Sequence, residues 1–243
     1  MIEKGKKIGS LDDSAGKPNK VVLLVLDDTG FLFVNNFFSG SFNLSQQTNA
    51  GDVMIGTAFY KENEKVGGTQ TNYEDFQVWK MPVVHEPSDG ELKLSDDNKL
   101  KTDMAGVDLK NFIAKATFSV PKGLWNVGFV FRRLAENDQF RLFAQSDSLW
   151  MFGNQVSHLI GTSWLSQGKG SKLKLGASEL DELMLVALGD RSIFLVNGNV
   201  IAKPDLTARM NSGDIGVGTG FLEKDQITGQ SIKYTDFTIW GLP

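Results

Sequence analysis

One stretch of this chain occurs twice, and that repetition constrains the fold more than any other feature of the sequence. The first copy runs from Leu26 to Trp79 and the second from Leu188 to Trp240. The residues that recur at a constant offset of 162 are Leu26, Asp28, Val34, Asn35, Leu44, Asn49, Gly51, Asp52, Gly56, Thr57 and Phe59. After one residue drops out of the second copy, the residues that recur at an offset of 161 are Tyr73, Asp75, Phe76, Trp79 and Pro82. Because the shared residues are mostly turn residues and apolar side chains, the repetition indicates a common fold rather than a common active site.

Both copies begin with the pattern of two consecutive β-hairpins. The first copy has an apolar run at 21–26, a turn at 27–30, a short apolar run at 31–34 and a second turn at Asn35-Asn36. The second copy repeats this order, and its second turn is Asn197-Gly198, which is a strong signal for a two-residue hairpin turn. Further predicted strands close each copy, and they cover 53–59 and 73–79 in the first and 215–221 and 234–240 in the second.

Only the second copy is preceded by additional strand patterns. These predict strands at 109–120, 126–133, 139–145, 149–152 and 156–160, and no convincing amphipathic helix occurs in the chain. We therefore predict an all-β fold, a jelly-roll β-sandwich. In this interpretation 84–243 form one complete unit, 1–83 form the C-terminal half of a second, and the two prolines of 82–90 mark a linker-like junction.

A half sandwich leaves strand edges and one apolar face uncovered. Unpaired edges and large apolar patches favour association, so something has to cover them. Three arrangements satisfy this requirement: an upstream segment of the natural polypeptide, strands from another subunit, or direct packing of the half on the complete unit. The second of these predicts a homo-oligomer.

Composition excludes several classes of function. The chain has 243 residues, a net charge of −4 and no cluster of Lys and Arg, which argues against nucleic-acid binding. It has no cysteine, so it forms neither disulfides nor thiolate metal sites. Residues 1–7 are not followed by the apolar region of a signal peptide, and the apolar run at 21–26 is too short to span a bilayer. We therefore expect no insertion into membranes.

Several segments of the complete unit together resemble the concanavalin A-like lectin and glucanase superfamily, in particular laminin-G-like and other bacterial jelly-roll modules. The segments that carry the likeness are Trp125–Arg132, Gln139–Leu142, Trp150, Phe194–Gly198, Gly213–Gly218 and Asp236–Trp240, together with Phe118 and Pro121. The resemblance covers 84–243 fully and 1–83 in part. It implies the sandwich fold, but the superfamily contains glycosidases, lectins and protein-binding modules, so the fold does not select among these activities.

The sequence lacks the residues that catalysis in this superfamily requires. Its glucanases carry a Glu-x-Asp-x-x-Glu pattern on one strand, and this chain has none. We interpret the acids of the complete unit as solvated turn residues, namely Glu91, Asp96, Asp97, Glu179, Asp181 and Glu182. The resemblance implies no cofactor beyond a possible Ca²⁺, for which Asp96 and Asp97, or the Asp27-Asp28 turn, are candidate ligands and equally good turn residues.

Five residues are candidates for ligand binding: Trp125, Arg132, Arg141, Trp150 and Trp164. Alternation along the predicted strand 139–145 places Arg141 and Phe143 on one face and Phe140 and Leu142 on the other. Arginine and tryptophan on an open sheet face can hydrogen-bond and stack on a sugar. The alternative interpretation is that the tryptophans fill the core and the arginines form half-exposed pairs.

From these observations we expect a non-catalytic binding module. It would recognise carbohydrate or protein at the cell surface or outside the cell, as part of a larger polypeptide. One alternative is a structural subunit whose half unit is completed by a neighbouring chain. A second alternative is an enzyme of the glycoside hydrolase type.

Overall fold

The computed structural model describes residues 9–12, 14, 16–46, 49, 51–56, 70–93, 100–119, 125–156, 161–169, 180–219 and 231–243. Within these ranges the chain forms strands and no helix. In chain order the strands are β1 (Val21–Leu26), β2 (Thr29–Val34), β3 (Phe37–Asn43), β4 (Val83–Lys93), β5 (Lys101–Met104), β6 (Phe112–Ser119), β7 (Asn126–Ala135), β8 (Asp138–Gln145), β9 (Leu149–Gln155), β10 (Thr162–Lys169), β11 (Leu180–Leu188), β12 (Arg191–Val196), β13 (Asn199–Ala202), β14 (Asp214–Thr219) and β15 (Ser231–Gly241). The all-β prediction is confirmed.

Two six-stranded antiparallel sheets contain all strands from β4 onward. Sheet 1 has the order β13-β12-β11-β6-β15-β4, and sheet 2 has the order β10-β9-β8-β7-β14-β5. The hairpins predicted at 126–145 and 183–202 lie in these sheets as expected. Since β4, β5 and β6 lie beside β15 and β14 in the sheets, early and late strands of the chain are interleaved, as a jelly roll requires.

The core lies between the two sheets and follows the alternation of their strands. From sheet 2, every second residue of β7 and β8 points inward, as in Phe129, Phe131 and Phe140. From sheet 1, Leu185 and Phe194 meet them. These side chains are completely buried. A continuous layer of apolar rings therefore joins the sheets, which accounts for the excess of phenylalanine in the sequence.

Strands β1, β2 and β3 form a separate three-stranded antiparallel sheet, here called the small sheet. Its hydrogen bonding repeats that of β11, β12 and β13 at the offset of 162. The Asn35 amide donates to Lys20 O at 2.8 Å, and the Asn197 amide donates to Glu182 O at 2.8 Å. The register shift between β2 and β3 also recurs at the corresponding place between β12 and β13. The repeated residues thus produce the same local geometry in both copies.

The small sheet packs on the outer face of sheet 1, the face turned away from the core. Equivalent positions of the two copies meet there, so that one apolar cluster contains the pairs Leu24 and Val186, Leu26 and Leu188, Phe31 and Ile193, and Phe33 and Leu195. At the margin Lys115 Nζ lies 3.3 Å from Asp27 Oδ2, and the Arg191 guanidinium lies over the Phe37 ring at 4.8 Å. Direct packing of the two copies, one of the three predicted arrangements, is therefore present.

On the opposite face of the small sheet the side chains of β1 are exposed, although Val34 of β2 is buried. Val21, Leu23 and Val25 of β1 are 61%, 55% and 45% exposed, whereas their counterparts in β11 are fully buried in the core. Residues 70–82 also differ in burial from their counterparts in the second copy. Tyr73, Phe76 and Val78 are exposed, although the equivalent side chains Tyr234, Phe237 and Ile239 belong to the core of the sandwich. Direct packing thus covers the face of the small sheet that corresponds to the outer face of sheet 1, and it leaves exposed the side chains of β1 that correspond to the sandwich core.

Three sequence predictions require correction. The linker-like junction is instead most of strand β4, which pairs with β15. This strand lies at the edge of sheet 1, and its pairing with β15 is irregular between His85 and Ser88, where Pro87 lies. The predicted strands at 53–59 and 73–79 are absent from their described parts, 53–56 and 73–79. No described strand lies beside these residues, and a strand requires a hydrogen-bonded partner.

Other predictions fall partly outside the described residues. The sequence also predicts a short edge strand at 7–11, but residues 9–11 form no strand and residues 7 and 8 lie outside the described residues. Residues 157–160 of the predicted strand at 156–160 and residue 120 of the strand at 109–120 are also outside. In the described part of the chain no helix is long and apolar enough to cross a bilayer.

Candidate functional site

The outer face of sheet 2 carries a row of three neighbouring positions on adjacent strands. Arg141 of β8 lies beside Gly153 of β9, and Gly153 lies beside Trp164 of β10. Since residues paired across strands point to the same side of a sheet, the guanidinium and the indole project from one face. Their backbones are two strand spacings apart, roughly 10 Å. The expected placement of Arg141 and Phe143 opposite Phe140 and Leu142 is confirmed, because only the latter pair lies in the core cluster.

Gly153 makes this row possible. A Cβ atom at this position would lie 2.4 Å from Thr162 Cγ2 and 2.8 Å from Trp164 Cε3. Any larger residue would therefore displace the indole ring, which lies over the glycine. The ring is nevertheless 46% exposed, so one side of it is accessible to a ligand.

A second row lies directly beside the first. Gln139, Gln155 and Thr162 are aligned across β8, β9 and β10. Gln155 Oε1 accepts hydrogen bonds from Gln139 Nε2, at 3.2 Å, and from the Arg141 guanidinium. Arg141 also donates to Thr162 Oγ1 at 2.9 Å. The two rows thus form one hydrogen-bonded patch with the arginine at its centre.

Burial and charge distinguish Arg141 from an ordinary surface arginine. Partial burial lowers the pKa of its guanidinium to about 10, and the positive charge of Arg133 contributes to the decrease. Arg133 itself reaches Thr102 Oγ1 at 3.4 Å on the same face of sheet 2. At neutral pH both groups remain charged, so this face is locally positive although the chain as a whole is acidic.

The other predicted ligand residues lie elsewhere. Trp125 is 2% exposed and belongs to the core. Trp150 is half-buried and packs against the core from β9, with its ring next to Gly168, so it faces away from the side of Arg141. Both positions agree with the alternative interpretation, in which tryptophans fill the interior. The structure therefore brings together Arg141 and Trp164 and separates them from the other two indoles.

Arg132 is completely buried at one end of the sandwich. Its backbone has φ of 48°, in a bulge where the pairing between β7 and β14 shifts. The guanidinium donates to the carbonyl oxygens of Lys110, Gly189 and Arg209, which belong to three separate connections of the chain. Burial lowers its pKa to about 10, and the nearby charge of Asp190 acts in the opposite direction. This arginine joins the ends of the two sheets and does not reach the outer face.

The acidic residues do not converge in the described structure. Among the described residues no group of three or more His, Asp or Glu is placed to hold a metal ion. Asp96 and Asp97 lie outside the described residues, as does Glu179. Asp27 instead contacts Lys115, and Asp28 accepts from Thr29 Oγ1 at 3.2 Å. The interpretation of Asp181 as a solvated turn acid is wrong, because it is fully buried in β11 and accepts from Asn197 Nδ2 at 2.7 Å.

Sequence reasoning missed Gln139, Gln155 and Thr162. The pattern Gln139-x-Arg141 along one strand indicates that these two side chains share a face, and that signal was available. Gln155 and Thr162 join them only through the register of β9 and β10, which no local pattern reveals. A bulge between Trp164 and Ser166 also changes the alternation of β10.

No protein-family model matches the sequence, and no match was found among curated proteins. Solved structures do match it. The carbohydrate-binding module CBM66 from Bacillus subtilis matches with a TM-score of 0.50 and 10% identity, over 66% of this chain and 95% of that chain. A protein of unknown function with a galectin-like fold, also from Bacillus subtilis, matches with a TM-score of 0.46 and 12% identity, over 67% of this chain and 88% of that chain.

A fructosyltransferase from A. japonicus also matches, with a TM-score of 0.47 and 13% identity, over 67% of this chain. The match covers only 26% of the fructosyltransferase. Identities this low establish the fold and leave the activity open. Together with the two interleaved sheets, the match to the Bacillus module shows that this chain contains a jelly-roll β-sandwich, the fold of that module.

Proposed function

We propose that the protein is a non-catalytic module that binds carbohydrate on the outer face of sheet 2. One observation carries the proposal: Arg141 and Trp164 project from the same face on either side of Gly153. An exposed indole offers a flat apolar surface on which a sugar ring can lie. The guanidinium beside it offers hydrogen-bond donors to hydroxyl oxygens.

The surrounding residues support this role. Gln139, Gln155 and Thr162 supply fixed amide and hydroxyl groups, and they stand on strands rather than on loops. A site built on a sheet is already arranged before the ligand arrives, which limits the ordering cost of binding. The fold is compatible with the proposal, since the Bacillus carbohydrate-binding module shares it. We place the module outside the cell or at its surface, within a larger polypeptide.

The test is a glycan array followed by titration calorimetry on the best ligand. We expect Trp164→Ala and Arg141→Ala each to weaken binding by about tenfold or more, which corresponds to about 1.4 kcal/mol. Trp79→Ala and Arg191→Ala are matched controls. Trp79 is similarly exposed in the first copy, and Arg191 belongs to sheet 1, where it pairs with Asp205 at 2.7 Å. Binding to no glycan, or equal losses in the controls, would contradict the proposal.

A second candidate function is assembly, and the open face of the small sheet favours it. In sheet 1, β6 pairs with the edge of β11. No described strand pairs with the corresponding edge of β1. We infer that a neighbouring copy of the chain pairs a strand with this edge and covers the exposed side chains Val21, Leu23 and Val25. The complete unit shows such coverage: there β6 pairs with the corresponding edge of β11, and sheet 2 covers the corresponding side chains.

Light scattering over a range of protein concentrations tests this second candidate. If neighbouring chains provide the strands, the mass rises with concentration, and Leu23→Glu abolishes the rise. Leu134→Glu is the control, since Leu134 of β7 has the same 55% exposure but lies in sheet 2 of the sandwich. A monodisperse monomer at all concentrations, or the same loss in both variants, would count against completion by a second copy.

A further inference from the structure

We propose that the preferred ligand of the outer face of sheet 2 is an acidic saccharide, whose anionic group is held by Arg141 with Arg133 nearby. This inference rests on the proposed carbohydrate-binding function and specifies the chemical class of the sugar. It derives from the hydrogen bonds and charges of the two rows already described, and each step is independent of the likeness to other proteins.

The first step is the unused donor capacity of Arg141. A guanidinium has five N–H donors. In the described structure Arg141 donates one hydrogen bond to Thr162 Oγ1 and one to Gln155 Oε1, and both acceptors are neutral. Its Nε is buried and has no hydrogen-bond partner there. A buried N–H without a partner is costly, so this group is better satisfied when a ligand supplies an acceptor.

The second step is the absence of a balancing acid in the described part of the chain. No ion pair there includes Arg141 or Arg133. In contrast, Arg191 pairs with Asp205, and Arg209 pairs with Asp138. Two positive charges on one partly desolvated face repel each other, and an anion placed between them removes that repulsion. Hydrogen bonds from a guanidinium to an anion are also about twice as strong as hydrogen bonds between neutral groups.

The third step concerns Gln139, which identifies a saccharide rather than a simple anion. Its side chain is 1% exposed, and its Oε1 accepts no hydrogen bond in the described structure. An acceptor needs a donor, and a carboxylate or sulfate group has none to give. A sugar hydroxyl donates, and the same residue of an acidic saccharide carries both the hydroxyl and the anionic group. The arrangement of Gln139 two positions before Arg141 on β8 therefore fits both chemical groups of one ligand.

The fourth step is the position of the indole. Gly153, between Arg141 and Trp164, has no side chain, and the Trp164 ring lies over it on the side of the arginine. The indole therefore approaches the guanidinium more closely than the two backbones do, which are two strand spacings apart, roughly 10 Å. A sugar ring on the exposed side of the indole would lie next to the arginine, with its anionic group directed at the guanidinium.

The experiment compares polysaccharides that differ only in charge. Polygalacturonate, alginate and hyaluronate are titrated beside their carboxyl-reduced forms, and heparin and chondroitin sulfate beside their desulfated forms. A panel of neutral glycans is included. We expect a charged member to bind at least about tenfold more tightly than its neutral form, with affinity that falls as NaCl rises. The carboxylated and sulfated arms tell which anionic group is recognised.

Variants connect the charge preference to the site. Arg141→Gln should bring the affinity for the charged polymer close to that for its neutral form. Arg141→Lys should retain part of the difference in affinity between the charged and neutral polymers, because lysine carries the positive charge but lacks the planar guanidinium. Arg191→Gln is the control for loss of a positive charge elsewhere. Circular dichroism verifies that each variant is folded.

The outcomes separate the two proposals. If neutral glycans bind as tightly as charged ones, the acidic-saccharide inference is overturned and the carbohydrate-binding function stands. If no polysaccharide binds in either form, the proposed function fails and the inference fails with it. If the charge preference survives Arg141→Gln in a folded variant, the assignment to this arginine is wrong.

Discussion

Strands β1 and β11 pair with their neighbours in the same way, but they differ in the burial of their side chains. Each is the first strand of a three-stranded meander, each pairs with the next strand over six positions, and the register is identical at the offset of 162. Alternate side chains of β11 are buried in the sandwich, whereas those of β1 are in contact with solvent. The comparison shows that turns and alternation are sufficient to set the local geometry. Burial depends on whether a second sheet and a neighbouring strand are present.

The largest expected difference between the copies comes from one equivalent pair of leucines. Leu185→Ala should lower the free energy of unfolding by about 3 kcal/mol, because it leaves a cavity between the two sheets. Leu23→Ala, the same change in β1, should alter it by less than about 0.5 kcal/mol. Chemical denaturation followed by tryptophan fluorescence measures both. Comparable losses would mean that the face of β1 is covered in solution.

The contact between the copies should show a smaller and more local effect. Phe31→Ala removes a buried ring from the cluster on the outer face of sheet 1 and should cost about 2 to 3 kcal/mol, toward the low end for such changes because the open small sheet can relax. Faster amide hydrogen exchange in β1, β2 and β3, with unchanged exchange in β7 and β8, is the expected readout. Val21→Ala, on the open face, is the control. Uniformly faster exchange would show that the sheets unfold as one unit.

The turn asparagines should behave alike in the two copies. Asn35 and Asn197 have φ of 53° and 49°, and each accepts a hydrogen bond from the backbone amide of Lys20 or Glu182. Substitution by alanine loses that bond and strains the left-handed backbone, at a cost of about 2 kcal/mol. For Asn35→Ala the loss of stability should appear only as faster amide hydrogen exchange in the small sheet. For Asn197→Ala it should appear in the global unfolding of the sandwich.

The smallest expected effect is a gain in stability. Asn36 has φ of 66°, and its counterpart Gly198 has φ of 73°. Asn36→Gly reproduces the Asn-Gly turn of the second copy and should stabilise the first hairpin by about 0.5 kcal/mol. Slower hydrogen exchange at the ends of β2 and β3 would verify the gain. Gly198→Asn, the reverse change, should produce a loss of similar size.

The sequence predicted those parts of the fold that local chemistry determines. The meanders of both copies were found because their turn residues and apolar runs lie within a few positions of each other. The packing of the small sheet was not determined, because β1 is apolar on both faces and alternation cannot say which face is buried. Strand β4 was missed because Pro87 within it and Pro82 just before it resemble a linker. A proline is tolerated in this strand because the strand lies at an edge of sheet 1.

The candidate site was predictable to a similar degree. Arg141 was identified from alternation along a single strand. Trp164 was listed for its residue type, and its association with Arg141 depends on the register of three strands. Trp150 lies two residues before Phe152, which is buried in the core, so alternation places both on the inner face of β9. Arg132 was named as a ligand residue for its residue type, but it lies at a positive φ in a bulge and is buried, and a bulge of that kind has no signal in the sequence.

The buried guanidinium of Arg132 has a consequence for the order of folding events. Its three carbonyl acceptors, at residues 110, 189 and 209, are far apart in the chain, and they meet only when both sheets are almost complete. Until then water can solvate the guanidinium, so we expect its hydrogen bonds to form late in folding. Interactions that form late determine how slowly a native protein opens rather than how quickly it forms. Substitution of Arg132 is therefore expected to speed the unfolding of the sandwich more than it slows its folding.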